Sequence, residues 1–272
     1  MPSQFMPNSR WQPTLLVSLS VALHLLVLMF VIMQPELWHW ALAMLLANHC
    51  LLTFVGMSPR SHWLGSNWTR LPAAATARNE IALTIDDGPD PVVTSQVLDL
   101  LDHHAVKATF FCVGKKAARY PDLCREIVRR GHAVENHSQH HRHHFAFMGY
   151  AGFMRELLVA QDTLTAITGQ RPLFFRAPAG LRNPFLDPVL TKLGLQLAAW
   201  SIRGKDTWVA DSDRVTSKLL SGLHAGAILL LHDGNAARTA NGIPVILEVL
   251  PTLLTAAAAA NLRFITLRQA QT

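Results

Sequence analysis

Hydrophobic and polar positions divide the chain into two parts with different patterns. Two apolar runs, at residues 14–33 and 37–57, contain no Asp, Glu, Lys or Arg, and each is long enough to span a bilayer as a helix. After a Pro-, Ser-, Gly- and Ala-rich stretch at 58–79, short apolar segments alternate with amphipathic ones. The pattern predicts a helical membrane anchor at 1–57, a linker at 58–79 and a folded domain at 80–272.

Seven short apolar segments of the folded domain have the length of β-strands, and stretches with helical spacing separate them. Strict alternation of strand and helix favours a parallel sheet with helices packed outside it, as a barrel or as an open doubly wound sheet. In both folds, functional side chains gather at the carboxyl ends of the strands. The predicted strands are 81–85, 108–113, 133–136, 173–176, 196–200, 227–231 and 263–267, and the predicted helices are 91–104, 115–130, 149–168, 184–193, 212–223 and 243–260.

Composition and charge narrow the class of protein. Hydrophobic residues make up 50% of the chain and charged residues only 15%, which agrees with membrane-spanning segments. The net charge of +6 is spread along the chain, without the Lys and Arg runs of a nucleic-acid groove, so we expect no nucleic-acid partner. Cys112 and Cys124 fall in apolar segments and are predicted to be buried thiols rather than a disulfide framework. The composition indicates no oligomeric state.

The basic residues around the apolar runs predict an orientation. Arg10 precedes the first run, Arg60 and Arg70 follow the second, and the link at 34–36 carries neither Lys nor Arg. The positive-inside rule therefore favours a bacterial-type inner-membrane hairpin with the folded domain on the cytoplasmic side. If the second run only lies at the interface, the domain is instead exported. A cleaved signal peptide fits less well, because no small-residue cleavage site follows the first run.

Candidate metal ligands follow two of the predicted strands. Asp86 and Asp87 end the first strand, and His137 and His141 follow the third. On one helical turn the two histidines would share a face, and one carboxylate oxygen would complete a set suited to catalytic Zn²⁺ or another divalent metal. The simpler alternatives are an acidic turn and a solvated His-rich loop. The neighbouring histidines, predicted to lie on the surface or behind the ligands, are His140, His143 and His144.

Three further strand ends carry candidate catalytic groups. His232 follows the sixth strand and could supply a proton to a leaving group, with Asp206, after the fifth strand, orienting it. Arg176 ends the fourth strand and could keep Asp86 ionised, while the loop after it could offer backbone N–H groups to a developing oxyanion. The alternatives are a structural histidine and a structural ion pair.

Five short motifs together resemble those of the polysaccharide deacetylases of the NodB-homology type, carbohydrate esterase family four. They are, in chain order, TIDDG at 84–88, HSQHH at 137–141, RAPAG at 176–180, RGKDT at 203–207 and LLH at 230–232. The resemblance runs from about residue 80 to 267. It implies a distorted (β/α) barrel, a divalent metal cofactor, most simply Zn²⁺, and removal of acetyl groups from an N-acetylated carbohydrate.

The resemblance also implies roles for individual residues. By this resemblance Asp86 is the general base, and Asp87, His137 and His141 are the metal ligands. Arg176 fixes the position of Asp86, and the Ala179 N–H donates to the oxyanion. Leu230 forms the wall of the acyl pocket, and His232, beside Asp206, is the general acid.

The sequence departs from the family pattern at two motifs. Ala179 stands where an aromatic residue is common, which would open the groove. In the fourth motif, often Asp-x-x-Asp-Trp, Arg203 replaces the first acid and Thr207 the tryptophan, although Asp206 is retained and Trp208 follows. We therefore expect Trp208 to contact substrate and the acyl-pocket wall to differ from that of the family.

The sequence as a whole predicts a membrane-anchored, metal-dependent deacetylase of a polysaccharide or oligosaccharide. One alternative is a deacylase of a lipid-linked sugar, which the anchor would favour. The other is an inactive, membrane-tethered carbohydrate-binding barrel. A binding module needs no complete acid and base pair, so the retained Asp, His and Arg residues argue against it.

Overall fold

The computed structural model describes residues 10–271, and in them eight strands form one parallel sheet that curls into a distorted half-barrel. All seven predicted strands are present, and the α/β half-barrel confirms the predicted fold class. The eighth strand is a short addition after the predicted fifth strand. The strands are β1 (Glu80–Asp86), β2 (Thr109–Cys112), β3 (Ala133–Asn136), β4 (Phe174–Phe175), β5 (Gln196–Leu197), β6 (Ile202–Arg203), β7 (Ile228–His232) and β8 (Arg263–Phe264).

The sheet order places the two longest strands side by side in the interior of the sheet, next to the edge strand β6. The order is β5-β4-β3-β2-β1-β7-β6, and β8 pairs with the start of β1. Every residue of β1 and β7 is buried, as expected for central strands covered on both faces. Their register pairs Asp86 with His232, so the first acid and the last histidine of the predicted site end neighbouring strands at the same edge.

The helices surround the sheet close to the predicted positions. The predicted helix at 115–130 is two helices, because Pro121 lacks an N–H and forces Tyr120 out of the helical conformation. The helices of four or more residues are α1 (Leu15–Met33), α2 (Trp38–Gly56), α3 (Ala73–Ala77), α4 (Val93–His103), α5 (Gly114–Arg119), α6 (Pro121–Arg129), α7 (Tyr150–Thr168), α8 (Leu186–Leu193), α9 (Ser212–Leu220) and α10 (Val245–Ala259).

Alternating residues of β1 build two apolar layers. Ile81, Leu83 and Ile85 face α4, α9 and α10 in the main core, whereas Ala82 packs inside the half-barrel with Phe111. Cys112 and Cys124 are buried free thiols, as predicted. The core thus fixes both central strands and, with them, the side chains at their carboxyl ends.

The two N-terminal helices expose most of their apolar side chains. By length and composition both α1 and the segment Pro35–Gly56 could cross a membrane, a test that signal sequences also pass. A buried hydrogen bond of 2.8 Å from Asn48 Nδ2 to Ser20 Oγ joins them.

The segment predicted as a linker is packed against the domain. Leu64, Leu71 and Ala75 are buried, and Trp68 bridges to Ala198 beyond the end of β5. These apolar side chains, spaced too irregularly to predict a helix or strand, cover the open side of the half-barrel. The segment that directly follows α2 is therefore part of the packed domain rather than a free linker.

Candidate active site

A cavity of about 210 Å³ opens at the carboxyl edge of the sheet. Eight of the ten residues predicted for the site line it, and the other two, Arg176 and Asp206, are buried behind it. Its lining residues are Asp86, Asp87, His137, His141, Ala177, Ala179, Gly180, Trp200, Arg203, Thr207, Trp208, Leu230, His232 and Asn235.

Asp87, His137 and His141 converge at one corner of this cavity. Their candidate ligand atoms all lie within 4.8 Å of one another. His137 Nε2 is 3.2 Å and His141 Nε2 3.1 Å from Asp87 Oδ1. Burial raises the pKa of Asp87, but the two adjacent imidazoles lower it by more, so this pKa lies well below its usual range.

The two histidines share this corner by a different route from the one predicted. They lie on a loop after β3, not on a helical turn, so that part of the prediction was wrong. Ser138 and His141 both have left-handed backbone φ angles, of 64° and 50°, and the resulting reversal brings the two rings to a centroid distance of 4.8 Å. A short polar segment bound by side-chain to backbone hydrogen bonds competes with helix, and Asn136 Oδ1 accepts such a bond from the Ser138 N–H.

The donor set of this corner fits a metal ion. His137 Nδ1 lies 2.8 Å from the backbone oxygen of Arg176, so this nitrogen donates and the Nε2 lone pair is free to face Asp87. Although both imidazoles are close to Asp87 Oδ1, the angles do not make hydrogen bonds, and this buried oxygen has no hydrogen-bond partner in residues 10–271. An unpaired buried oxygen between two imidazole nitrogens is satisfied by a cation.

Asp86 is held on one side only. Its Oδ1 accepts a 2.7 Å hydrogen bond from Arg176 Nη1, and its Oδ2 lies 3.9 Å from His137 Nε2. The Arg176 guanidinium also donates to Thr84 Oγ1 and to the backbone oxygens of Ala198 and Ala199, so its position is fixed by four hydrogen bonds. Asp86 therefore presents one fixed oxygen and one oxygen near the ligand cluster.

His232 is positioned by a single buried carboxylate. Asp206 Oδ2 accepts from the His232 backbone N–H at 2.7 Å, and Oδ1 lies 2.9 Å from the ring Nδ1. Burial lowers the pKa of His232, but the charge and hydrogen bond of Asp206 raise it by more, and the pKa is raised overall. The imidazole is thus held ready to carry a proton, and it lines the cavity.

The residues predicted to contact substrate form the rest of the lining. Ala179 is exposed, and its φ of 55° turns the loop after β4 toward the cavity. Leu230 is buried in β7, and Trp208 is 76% exposed at the rim.

Several residues near the site were missed by the sequence analysis. Asn235 Nδ2 lies 3.2 Å from Asp87 Oδ2, and Lys116 Nζ donates to the Asp87 backbone oxygen at 2.7 Å. Glu156, far along the chain in α7, accepts from the His140 backbone N–H and pairs with its ring. None of the three follows a predicted strand directly, so strand-end position gave no signal for them.

Comparison with known proteins shows that the chain is similar to carbohydrate deacetylases. A family model described as polysaccharide deacetylase matches residues 73–198. A chitooligosaccharide deacetylase of a Bradyrhizobium species is 36% identical over 173 residues, which cover 60% of this chain and 78% of the relative. A peptidoglycan-N-acetylglucosamine deacetylase of Bacillus cereus is 29% identical over 214 residues, covering 76% of this chain and 75% of the relative. The solved structure of a family 4 carbohydrate esterase from Streptomyces lividans, in complex with acetate, has a TM-score of 0.61 and 31% identity, covering 68% of this chain and 91% of that one.

Proposed function

Because this chain belongs to the polysaccharide deacetylase family, carbohydrate esterase family four, we propose that it is a membrane-anchored, metal-dependent hydrolase that removes acetyl groups from N-acetylated sugars. The observation that carries the proposal is the convergence in one cavity of the Asp87–His137–His141 cluster, a braced carboxylate and a carboxylate-bound imidazole. Amide hydrolysis needs a polarised carbonyl, a base for the attacking water and an acid for the leaving nitrogen. The cavity offers a group for each.

Asp87, His137 and His141 would hold the metal ion. Two imidazoles and one carboxylate are a typical ligand set of catalytic zinc sites, so we assign Zn²⁺ as the cofactor. When bound, the ion supplies Lewis-acid polarisation of the acyl carbonyl and lowers the pKa of water. The hydrogen bond from His137 Nδ1 to the Arg176 backbone keeps the ligand nitrogen unprotonated and the ring oriented.

The remaining residues of the chain move protons and hold the substrate. Asp86 accepts the proton of the attacking water, since Arg176 fixes its other oxygen. The Ala179 N–H donates to the developing oxyanion. His232 donates a proton to the leaving nitrogen, and Asp206 stabilises the imidazolium until that transfer. Acetate and a free amino sugar result.

Substrate contacts come from the wall opposite the metal ligands. Leu230 offers an apolar surface for the acetyl methyl group, and Trp208 at the rim offers an aromatic face for the sugar.

Acetate release by the full-length chain in detergent tests this proposal. The substrates are a chitooligosaccharide and peptidoglycan glycan strands, each assayed before chelation, after chelation and after Zn²⁺ is added back. We expect release to disappear on chelation and to return with the metal. Asp86→Asn should lower it roughly 10²- to 10⁴-fold, the range of general-base contributions.

A matched control comes from the same histidine loop. His143 is exposed and does not line the cavity, so His143→Gln should retain both metal dependence and rate. If folded, zinc-loaded protein released acetate from neither substrate, the proposal would be contradicted.

A second candidate, deacylation of a lipid-linked sugar, is favoured by the contact between the anchor and the site. The loop that carries Ala179 packs directly on the end of α2: the Arg182 N–H donates to the Gly56 oxygen at 3.1 Å, and Arg182 Nη2 donates to the Ser61 oxygen. A Cβ built on Gly180 would lie within 2.7 Å of both Pro59 and Trp200, so the segment directly after α2 touches a lining residue of the cavity. If α1 and α2 span the membrane, the cavity lies close to its surface.

Two measurements separate this candidate from deacetylation of a polymer. In proteoliposomes, a lipid-linked sugar should be deacylated at least tenfold faster than the same sugar free in water. Equal rates would contradict the lipid-linked candidate. A C-terminal topology reporter tests the predicted cytoplasmic side, from which a polymer of the envelope is out of reach.

A further inference from the structure

One wall of the cavity carries a cation without a counter-ion. Arg203, in β6, lines the cavity and forms no ion pair within residues 10–271. Its Nε is buried without a hydrogen-bond partner in the described part of the chain, where its guanidinium donates one long hydrogen bond of 3.5 Å, from Nη2 to Thr207 Oγ1. A buried donor left unpaired costs free energy, so such a group marks a place for a partner that is not part of the protein.

The charged groups near Arg203 do not neutralise its positive charge. Burial lowers the pKa of Arg176, its ion-pair partner Asp86 opposes this, and the nearby positive charge of Arg203 adds a smaller lowering. The carboxylate nearest along the chain, Asp206, is engaged through both oxygens by His232. Among residues 10–271, therefore, no carboxylate forms an ion pair with Arg203.

Two aromatic rings hold the guanidinium in place. Its central carbon lies 5.7 Å from the ring centroid of Trp200 and 5.3 Å from that of Trp208, distances at which cation–π attraction operates. Arg203 is also the register partner of Leu230 in the sheet, so it adjoins the surface proposed to hold the acetyl methyl group. An anion bound here would belong to the acylated sugar or to its neighbour.

We propose that Arg203 binds an anionic substituent of the substrate, a carboxylate or a phosphate group close to the acylated nitrogen. The proposal rests on the deacetylase function above and deepens it by naming the substrate class. An arginine at this position attracts an anion, whereas the acid common at this point of the family's fourth motif would repel one. Recognition of charge thus complements the neutral acetyl pocket beside it.

Substrate selectivity of the full-length, zinc-supplemented chain tests the proposal. Three N-acetylated glycans of matched size are compared: a neutral one, one with a carboxylate on the adjoining sugar, and one with a phosphate. We expect kcat/KM for at least one anionic glycan to exceed that for the neutral one roughly ten- to hundredfold, the worth of a charge-assisted hydrogen bond. Arg203→Gln should bring this ratio close to one, and Arg203→Lys should retain part of it. The two anionic arms identify the source of the charge.

The control variant removes a cation two residues away. Lys205 is exposed and does not line the cavity, so Lys205→Gln changes the net charge equally and should leave the selectivity ratio unaltered. Equal kcat/KM for neutral and anionic glycans in the parent chain would overturn the proposal. So would a selectivity that survives in folded Arg203→Gln.

A binding measurement separates this proposal from the function on which it rests. Calorimetric titration of the metal-free chain with the deacetylated forms of the same glycans requires no catalysis. We expect tighter binding of an anionic glycan, and loss of that difference in Arg203→Gln. Selective binding without any acetate release would remove the deacetylase function but keep the anion site. Acetate release without selectivity for anionic glycans would support the deacetylase function and rule out the anion site.

Discussion

The cavity has two walls that differ in solvent exposure and in the sign of the charge that each leaves unpaired. The ligand wall, Asp86, Asp87, His137 and His141, stands at the ends of β1 and β3, and its acids are braced by Arg176 and Asn235. The pocket wall, Arg203, Thr207, Trp208 and Leu230, comes from β6, β7 and the loop between them. Asp86 is 3% exposed on the first wall, whereas Trp208 is 76% exposed on the second.

Each wall leaves one buried polar atom without a hydrogen-bond partner within residues 10–271. The two atoms would bind groups of opposite charge. On the ligand wall it is Asp87 Oδ1, an anionic oxygen between two imidazole nitrogens. On the pocket wall it is Arg203 Nε, a cationic donor between two tryptophans. Because native proteins rarely bury unpaired polar atoms, the first indicates a cation and the second an anion from outside the protein. The comparison can be tested on stability, on proton transfer and on substrate contact.

The largest difference between the walls should appear in stability. Arg176→Met removes four hydrogen bonds and leaves Asp86 buried without a counter-ion, so we expect the free energy of unfolding to fall by about 3–5 kcal/mol. Arg203→Met is the matched change on the pocket wall. It breaks no ion pair and should cost about 1 kcal/mol or less, the worth of a partly exposed cation–π contact. Denaturant unfolding of both variants measures the difference, and equal losses would contradict the contrast between the walls.

The ligand wall was predictable from the sequence because its chemistry is tied to strand ends. A buried apolar strand is followed by polar residues where the chain leaves the core. In a parallel sheet the carboxyl ends of all the strands lie at the same edge. The alternation of apolar and polar segments therefore predicted that Asp86 and His137 of the ligand wall lie close together, with Arg176 and His232 beside them. The local path of the His137 loop was not predictable, because a spacing of four residues fits either a helical turn or a loop with two left-handed residues.

The next effect concerns proton donation by His232, which Asp206 positions. Asp206→Asn removes the carboxylate that raises the pKa of His232, and burial then lowers that pKa. His232 should lose its proton at lower pH, so the alkaline limb of the rate profile should move toward acid. The rate at neutral pH should fall roughly ten- to hundredfold, part of what a positioned general acid contributes.

A pH–rate profile of the full-length chain measures this shift. Asp213 is exposed in the first turn of α9, and Asp213→Asn, with the same change of charge, should leave the limb in place. An unmoved limb in Asp206→Asn would mean that His232 is not the proton donor.

The pocket wall and the packed 58–79 segment were less accessible to sequence reasoning. Strand β6 has two residues, Ile202 and Arg203, and only the first is apolar, so it forms no apolar run. The contacts of Leu64 and Leu71 with the domain depend on where the half-barrel is open, which is a property of the whole sheet. Asn235 reaches Asp87 from a loop after β7, and no spacing rule links positions so far apart in the chain.

The smallest effect should come from the exposed rim of the pocket wall. Trp208→Ala removes the ring beside Arg203 and the aromatic surface offered to the sugar, but no buried atom. We expect KM to rise about three- to tenfold with little change in kcat, since an exposed ring contact contributes about 0.5–1.5 kcal/mol. Trp208→Phe should recover much of the loss. Phe147, exposed and outside the cavity lining, provides the control, and Phe147→Ala should leave KM unchanged. A fall in kcat rather than a rise in KM would show that Trp208 acts on the reacting groups. The division of the cavity into a ligand wall that carries out the reaction and a pocket wall that recognises the substrate would then be wrong.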